Sequence, residues 1–219
     1  TKDIGGKGSS LGGAIIDAGT FNWANGKFPE FTEPSAGYHG LKYHEALGAA
    51  SYTFKLILEG LRDFGGALSP TNAFNIIQGL ETLTVRIKQH SENALALAKW
   101  LEAQEEVAWG NYPGLERSTY KSLADKYLPK GQSGIVTFGA KGGFEAAKKI
   151  ADKTKVFSLL ANIGDTKSLI IHPASTTHQQ LDEAQQANAG VGQDLIRLSV
   201  GIEDLEDLKE DLKAAFSEL

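Results

Sequence analysis

The sequence predicts an α/β protein in two parts, and three observations support this prediction. From Val107 onward, short apolar segments alternate with amphipathic ones, as strands and helices that share a sheet do. Before that point, apolar residues recur at helical spacing from Thr71 to about Gln104. The pattern changes near residues 104–106, so we expect a first part at 1–104 and a small α/β domain at 105–219.

The second part has the clearest elements. Its last segment places apolar side chains on one stripe with Glu and Lys opposite, which indicates a helix that covers one face of a sheet. The alternation as a whole predicts a small α/β sandwich. The predicted strands are 107–112, 134–139, 168–171 and 195–200, and the predicted helices are 118–127, 144–153, 181–187 and 204–216.

The first part is less regular. The run from Leu11 to Asp17 is continuously apolar up to its last residue and predicts a buried strand. Residues 20–40 predict a long loop, and a loop of this length is usually functional or interfacial. From Tyr43 to Phe64 the spacing of apolar residues is again helical.

A long helix is predicted to follow. Ser69 before Pro70 is typical of an N-cap with proline in the first turn. Unbroken, the helix at 71–104 would span about 50 Å and would link the two parts. Ser91 and Asn93 are the residues at which we expect a break if there is one.

Composition and charge exclude several classes of function. The chain has 219 residues, 41% hydrophobic and 22% charged, and its net charge of −5 argues against nucleic-acid binding. No apolar run approaches the roughly 20 residues that span a bilayer, and no signal-peptide pattern is present. Cysteine is absent, so neither a disulfide framework nor a thiolate metal site is expected, which fits a cytoplasmic protein.

The histidines do not predict a metal site. His39 and His44 are five residues apart, and His172 and His178 are six apart, whereas a helical zinc motif places its two histidines four apart. The glycine-rich segment 5–8 lacks the full spacing of a nucleotide-binding phosphate loop and precedes a predicted strand. We therefore expect neither a metal nor a nucleotide.

Two residues stand out for their chemistry. Lys2 precedes a glycine-rich turn, and a lysine becomes a nucleophile when its ammonium is desolvated, although most lysines are solvated surface charges. Arg197 interrupts the apolar strand 195–200, and a buried guanidinium needs an anionic partner. That partner is either the carboxylate of a ligand or a nearby acid such as Glu203.

Eight short motifs follow one another along the chain. They are Thr1–Gly8 (TKDIGGKG), Phe31–Gly40 (FTEPSAGYHG), Leu61–Gly65 (LRDFG), Gln78–Leu83 (QGLETL), Tyr112–Leu115 (YPGL), Ala161–Asp165 (ANIGD), His172–His178 (HPASTTH) and Arg197–Glu203 (RLSVGIE). In this order they are specific. With them the chain resembles, over essentially its whole length, the O-acetylhomoserine sulfhydrylase branch of the Cys/Met-metabolism pyridoxal-phosphate (PLP) enzymes. The loop at 20–40 points to this branch rather than to the related lyases.

The resemblance implies a fold-type I PLP-dependent transferase. This chain would form the end of the large PLP domain, a linking helix and the C-terminal small domain. Lys2 would be the catalytic residue that forms a Schiff base with PLP, and Thr1 would hydrogen-bond the cofactor phosphate. Arg197 would bind the substrate carboxylate, and Asn162 would help to hold that carboxylate or position the lysine, unless it is an ordinary turn residue.

Four further positions near these motifs carry weaker expectations. Asp3 stands where the family usually has an aromatic residue, and Lys7 stands where it usually has His or Gln. Thr176 and Thr177 either face the active site or are ordinary loop hydroxyls.

The implied reaction is a γ-replacement in methionine and cysteine biosynthesis. O-acetylhomoserine and sulfide, the small-molecule substrates, give homocysteine and acetate. A PLP γ-lyase, a cystathionine-forming relative and a non-catalytic subunit are the alternatives.

The implied partners follow from the same resemblance. The sequence has no methionine and begins at the lysine motif, so we expect a complementary N-terminal half or chain that covers apolar surface exposed here. Family members usually form homotetramers, so a homo-oligomer is expected as well.

Overall fold

The computed structural model describes all 219 residues, and contacts between Cα atoms group them into two compact units. The larger unit comprises Thr1–Leu11 with Phe74–Leu219, and the smaller unit comprises Gly12–Ala73. The domain boundary predicted near residues 104–106 falls inside the larger unit; these two units do not test it, and it stays a prediction.

One five-stranded sheet forms the centre of the larger unit. The strand order is β1-β2-β5-β4-β3, and every neighbouring pair is antiparallel except β4 and β3. The four strands predicted from the sequence are present, whereas the two-residue β3 is too short to show a periodic pattern. The strands are β1 (Val107–Asn111), β2 (Ile135–Ala140), β3 (Ser158–Leu159), β4 (Leu169–Ile171) and β5 (Leu195–Ser199).

Nine α-helices accompany the sheet. They are α1 (Pro29–Thr32), α2 (Tyr43–Leu47), α3 (Ser51–Lys55), α4 (Pro70–Glu81), α5 (Leu83–Leu101), α6 (Lys121–Tyr127), α7 (Gly143–Lys153), α8 (Glu183–Asn188) and α9 (Leu205–Phe216). The last four correspond to the helices predicted in the second part of the chain. The apolar stripes of α5, α7 and α9 share one buried cluster with β2 and β5, so these helices form a layer on one face of the sheet.

The register of β5 decides which of its side chains face that layer. Ile196 lies opposite Phe138 and Leu198 opposite Val136, and all four side chains are buried in the cluster beneath the helices. Successive side chains of a strand point to opposite faces. Arg197 therefore lies on the face of the sheet that the helices do not cover.

The long helix predicted at 71–104 is in fact two helices. The break falls at Thr82, whereas α5 runs without interruption through Ser91 and Asn93. The Thr82 N–H donates to the Gly79 carbonyl at 3.3 Å, a three-residue spacing that tightens and ends α4. Asn93 does not disturb α5 because its amide donates to carbonyls outside the helix, on Gly201 at 3.2 Å and Glu203 at 2.9 Å.

The smaller unit has an aromatic core of its own, centred on the predicted loop 20–40. Trp23 stacks against both Phe31 and Tyr52, with ring centroids 4.4 Å and 5.0 Å away, and Phe21 and Phe28 pack against it at steeper angles. The loop is thus ordered by side-chain packing.

The helix predicted at 43–64 is divided into short pieces. Gly48 ends α2 with a φ of 51°, in the left-handed region that glycine adopts without a steric penalty. A 3₁₀ turn, α3 and the π-helix Leu56–Arg62 follow. Helical spacing of apolar residues was therefore a correct indication of local structure but not of one continuous helix.

The prediction of a buried strand at 11–17 is wrong. These residues have no regular secondary structure, and the side chains of Ile15 and Ile16 are 68% and 94% exposed. A strand requires a neighbour that pairs with its backbone N–H and C=O groups, and no strand of the sheet pairs with this segment. The apolar run consequently lies on the surface.

Candidate active site

Lys2 lies at the start of a tight turn formed by residues 1–8, referred to below as the lysine turn. The Lys2 carbonyl accepts a hydrogen bond from the Gly6 N–H at 2.8 Å. Gly6 and Gly8 have φ values of 69° and 62°, which favour glycine. The Lys2 side chain is exposed, and its ammonium has neither a hydrogen bond nor an ion pair. Its amine is therefore available to a ligand.

The loop at 162–166 packs against the lysine turn. The Thr166 N–H donates to the Gly6 carbonyl at 2.9 Å. Gly8 lies so close to the loop that a Cβ atom there would stand 3.4 Å from Asn162 Nδ2. Asn162 is thereby placed directly beside the turn.

Asp3 faces the same loop. A Cβ atom at Gly164 would overlap the Asp3 carboxylate, and Gly164 has a φ of 69°. The Gly164 N–H donates to Ser199 Oγ at 3.0 Å, which ties the loop to the end of β5. The carboxylate at position 3 therefore packs over a glycine, while Lys7, the other departure from the family pattern, is exposed.

Arg197 reaches the loop from the sheet. Its Nη2 donates to the Asn162 carbonyl at 3.2 Å, while its Nε is buried and has no partner. Burial lowers the pKa of the Arg197 guanidinium, which nonetheless stays protonated at any physiological pH. A partly buried cation bonded only to a neutral carbonyl is a favourable site for an anion, above all for a planar carboxylate.

The alternative partner considered for Arg197 is engaged elsewhere. Glu203 accepts hydrogen bonds from the Ser168 N–H at 2.6 Å and from Ser168 Oγ at 2.8 Å. No ion pair involves Arg197, so the predicted alternative of a structural pair with Glu203 is wrong.

The structure thus brings together the three segments that carry the predicted site residues, namely the lysine turn, the loop at 162–166 and β5. Asn162 lies beside Gly8 of the lysine turn, and its carbonyl accepts a hydrogen bond from Arg197. Thr1 is half-buried and lines a cavity of about 630 Å³ next to the turn, whereas Lys2 is not among the lining residues. The cavity lining combines polar side chains such as Ser9, Ser10, Asn75, Gln78 and Glu81 with residues of α5 and of the 162–166 loop, among them Val85, Arg86 and Thr166.

The two loop threonines are engaged locally. Thr176 Oγ1 donates to the His172 carbonyl at 2.8 Å, and Thr177 Oγ1 lies 2.9 Å from His178 Nδ1. No cluster of three or more His, Cys, Asp or Glu side chains has the arrangement of a metal site. No helix is both long and apolar enough to cross a membrane.

Sequence reasoning missed two residues that contact the lysine turn, Arg86 and Thr166. Arg86 is only 6% exposed and hydrogen-bonds to the turn. No pattern marked Arg86, because its acceptors in the turn are backbone carbonyls. No local signal marks Thr166, whose role depends on its backbone N–H.

Comparison with known families matches residues 1–217 to the Cys/Met metabolism PLP-dependent enzymes. The chain belongs to this family. It is 49% identical over 217 residues to O-acetyl-L-homoserine sulfhydrylase 1 of Thermus thermophilus, which covers 99% of the chain and 52% of that protein. It is 50% identical over 228 residues to O-acetyl-L-homoserine sulfhydrylase of Leptospira meyeri, with 100% and 52% covered. The chain therefore spans about half the length of the relatives it matches.

Solved structures agree with this assignment. A crystal structure of a candidate O-acetylhomoserine (thiol)-lyase from Campylobacter jejuni, which carries N′-pyridoxyl-lysine-5′-monophosphate, has a TM-score of 0.89. It is 42% identical, and the match covers 99% of this chain and 52% of that one. The prediction of an α/β, fold-type I PLP-dependent protein is confirmed, and the predicted cofactor is that of the family.

The residues present fit such a cofactor and its substrate. A free primary amine is the group that bonds the PLP aldehyde, and Lys2 has one with no competing partner. The buried, unpartnered Nε of Arg197 fits the carboxylate that an amino-acid substrate carries. In this chain, Lys2 and Thr1 are thus the residues expected to hold PLP, and Arg197 and Asn162 those expected to hold the substrate.

Proposed function

We propose that this chain provides the lysine and the carboxylate-binding residues of a PLP-dependent γ-replacement enzyme of the O-acetylhomoserine sulfhydrylase type. The observation that supports this most strongly is Arg197: a guanidinium without an acidic partner, on the open face of the sheet, bonded to the same loop that packs on the lysine turn. The names of the relatives agree with it, since they include two O-acetyl-L-homoserine sulfhydrylases and a homocysteine synthase of Schizosaccharomyces pombe.

Each residue has a separate role in this proposal. Arg197 and Asn162 bind the substrate carboxylate and so fix the direction of the bond between Cα and its hydrogen. The Lys2 amine, once it is free, accepts and returns protons at Cα and Cβ as general base and general acid. Thr1 donates to the cofactor phosphate. PLP, when bound, supplies the electron sink that makes carbon-bound protons removable.

The overall change is a substitution at the substrate Cγ. The bond from Cγ to the acetate oxygen breaks, and a bond from Cγ to the sulfur of hydrosulfide forms. O-acetylhomoserine and hydrosulfide thereby give homocysteine and acetate, with no net oxidation or reduction.

The proposal includes a complementary protein segment. Apolar side chains that are largely exposed here support it, among them Ile16 at 94% and Phe64 at 89%, because large apolar patches usually mark interaction surfaces. The partner would be the segment that full-length relatives have in addition, either on the same polypeptide or on a second chain. Assembly into a cytoplasmic homotetramer belongs to the same proposal.

A chimera tests the proposed function directly. In this chimera, the present chain replaces the segment that it matches in the Thermus thermophilus relative. The purified protein is loaded with PLP and reduced with borohydride, and its intact mass and peptide map locate the adduct. We expect the adduct on Lys2 and sulfide-dependent formation of homocysteine.

The matched variants are Lys2→Ala and Lys7→Ala, which remove two exposed lysines of the same turn. We expect Lys2→Ala to lower turnover by about a thousandfold or more, while Lys7→Ala leaves turnover within about threefold. Full activity of Lys2→Ala would overturn the assignment. Release of an oxo-acid in place of homocysteine would favour a γ-lyase, and absence of any PLP adduct would favour a non-catalytic subunit.

A further inference from the structure

We propose that Arg86 is a positioning residue that holds the lysine turn in the conformation required for cofactor attachment. This inference rests on the proposed function, because it concerns the site at which Lys2 would bind PLP. Arg86 makes no hydrogen bond to Lys2 itself but bonds to the carbonyls of the two residues after it, so its action is exerted through the backbone of the turn.

The guanidinium of Arg86 connects three segments. Nη1 donates to the Asp3 carbonyl at 2.8 Å, and Nη2 donates to the Ile4 carbonyl at 3.0 Å and to the Gly79 carbonyl at 2.7 Å. Nε donates to Oγ1 of Thr82, the residue that directly precedes α5, at 3.1 Å. The two residues that directly follow Lys2 are therefore bonded to the start of α5 and the end of α4.

The planar shape of the guanidinium accounts for this arrangement. Its N–H groups form a rigid fork, so two neighbouring carbonyls that accept from it are fixed relative to each other. The ammonium of a lysine is a point charge on a flexible stem and does not impose that geometry. Arginine at position 86 is thus suited to define the path of the backbone after Lys2.

Two glycines make the close approach possible. A Cβ atom at Gly6 would overlap the Arg86 guanidinium, and Gly6 also requires its positive φ. A Cβ atom at Gly79 would overlap the Ile4 carbonyl. The turn, α4 and the guanidinium therefore pack together without space for any larger side chain.

The charges around Arg86 support a role beyond ordinary stability. Arg86 is 6% exposed, yet all four acceptors of its guanidinium are neutral and none is a carboxylate. Burying a cation without a counter-ion costs free energy that an apolar residue would not cost. If the position only had to fill space, an apolar residue would avoid this cost. Holding the carbonyls beside Lys2 in place instead requires several strong hydrogen-bond donors, which the guanidinium supplies.

The same helix offers a matched control. Asn93 lies two turns further along α5, is 3% exposed, and also donates to two backbone carbonyls, those of Gly201 and Glu203. Its contacts do not involve the lysine turn. Asn93→Ala therefore removes two buried hydrogen bonds to backbone carbonyls, against the four bonds that Arg86 donates, while leaving the proposed function of Arg86 intact.

The experiment compares Arg86→Met, Arg86→Lys and Asn93→Ala in the chimera defined above. Three quantities are measured: the melting temperature without cofactor, the dissociation constant of PLP from its visible absorption, and amide hydrogen exchange of peptides that cover residues 3–8. We expect Arg86→Met to weaken PLP binding about tenfold or more and to accelerate exchange at 3–8 by a similar factor. Arg86→Lys should recover part of both effects, and Asn93→Ala should lower the melting temperature while changing PLP binding less than about twofold.

Each outcome decides a specific question. Equal PLP affinity of Arg86→Met and Asn93→Ala, at equal loss of melting temperature, would show that Arg86 is merely structural. If Arg86→Met does not fold, the comparison of Arg86→Lys with Asn93→Ala decides in the same way. A parent chimera that forms no adduct on Lys2 would contradict the proposed function, and hydrogen exchange at residues 3–8 would still report whether Arg86 orders the turn.

Discussion

The two faces of the central sheet are built on opposite principles. Under α5, α7 and α9 the face is closed by fully buried apolar residues such as Leu198 and Phe138. On the other face, Arg197 has an unpartnered Nε and bonds only to a neutral carbonyl. Adjacent positions of one strand thus serve the core and the proposed site.

The difference between the two faces separates the residues that stabilise the fold from those proposed to bind a ligand. Burial of the apolar face stabilises the fold by about 25 cal/mol for each square ångström of apolar surface. This stabilisation offsets the cost of less favourable contacts elsewhere in the unit. The open face carries a cation whose burial is unfavourable until an anion binds. Substitutions at neighbouring positions should therefore separate stability from ligand binding.

The largest expected effect is on the closed face. Leu198→Ala removes a fully buried side chain from the core and should lower the free energy of unfolding by about 3 kcal/mol. Chemical denaturation of the chimera measures it. The matched control is Leu123→Ala in α6, where the side chain is 50% exposed and the loss should stay below about 1 kcal/mol. Similar losses at the two positions would mean that the sheet is not the core of this unit.

The next effect belongs to the open face. Arg197→Met should leave the free energy of unfolding within about 1 kcal/mol of the parent protein, because it removes a cation that lacks a counter-ion. It should raise KM for the amino-acid substrate about tenfold to a hundredfold, as expected for the loss of a hydrogen-bonded charge pair of 1.5–3 kcal/mol. Steady-state kinetics of the chimera at several substrate concentrations measure KM.

Arg117→Met is the control for this substitution. Arg117 is an exposed arginine that pairs with Glu102, and such surface pairs contribute little to stability. An unchanged KM in Arg197→Met, or an increase in KM for both variants, would remove Arg197 from the proposed site.

The same contrast explains which features could be predicted from the sequence. On the closed face, alternating apolar residues reveal strands β2 and β5 because burial imposes the period of the strand. Arg197 was recognisable because it is a charged residue within the otherwise apolar segment 195–200. Arg86 was not, because its acceptors are backbone carbonyls of Asp3, Ile4 and Gly79, which leave no trace in side-chain chemistry.

The segment 11–17 shows the opposite limit. Its apolar sequence predicted a buried strand, but strand formation also depends on a neighbouring strand, and no strand of the sheet pairs with this segment. The break between α4 and α5 has a related cause. The Gly79 carbonyl accepts hydrogen bonds from both the Thr82 N–H and Arg86 Nη2. The bond from Arg86 joins two helices, and helix propensities of single residues do not predict such a contact.

The smallest expected effect concerns an ionisable group within the closed face. Tyr112 is fully buried in the core cluster and donates to the Ser133 carbonyl at 2.9 Å. Burial raises its pKa from 10.0 to about 12. The tyrosine of the unfolded chain thus loses its proton first, so the stability that the protonated side chain contributes is complete below pH 10 and is lost as the pH rises from 10 to 12.

The expected loss by pH 12 is about 2 kcal/mol, below the roughly 3 kcal/mol that two pKa units give in full, because about half of the folded-state tyrosine is still protonated at that pH. Urea denaturation at pH 9 to 12 measures it as the difference between the parent protein and Tyr112→Phe, which cannot ionise. Tyr127→Phe is the control, since Tyr127 is 66% exposed and should not alter the pH dependence. If Tyr112→Phe keeps the parent slope, Tyr112 is accessible to hydroxide in the folded state, and the helix-covered face is less closed than its packing indicates.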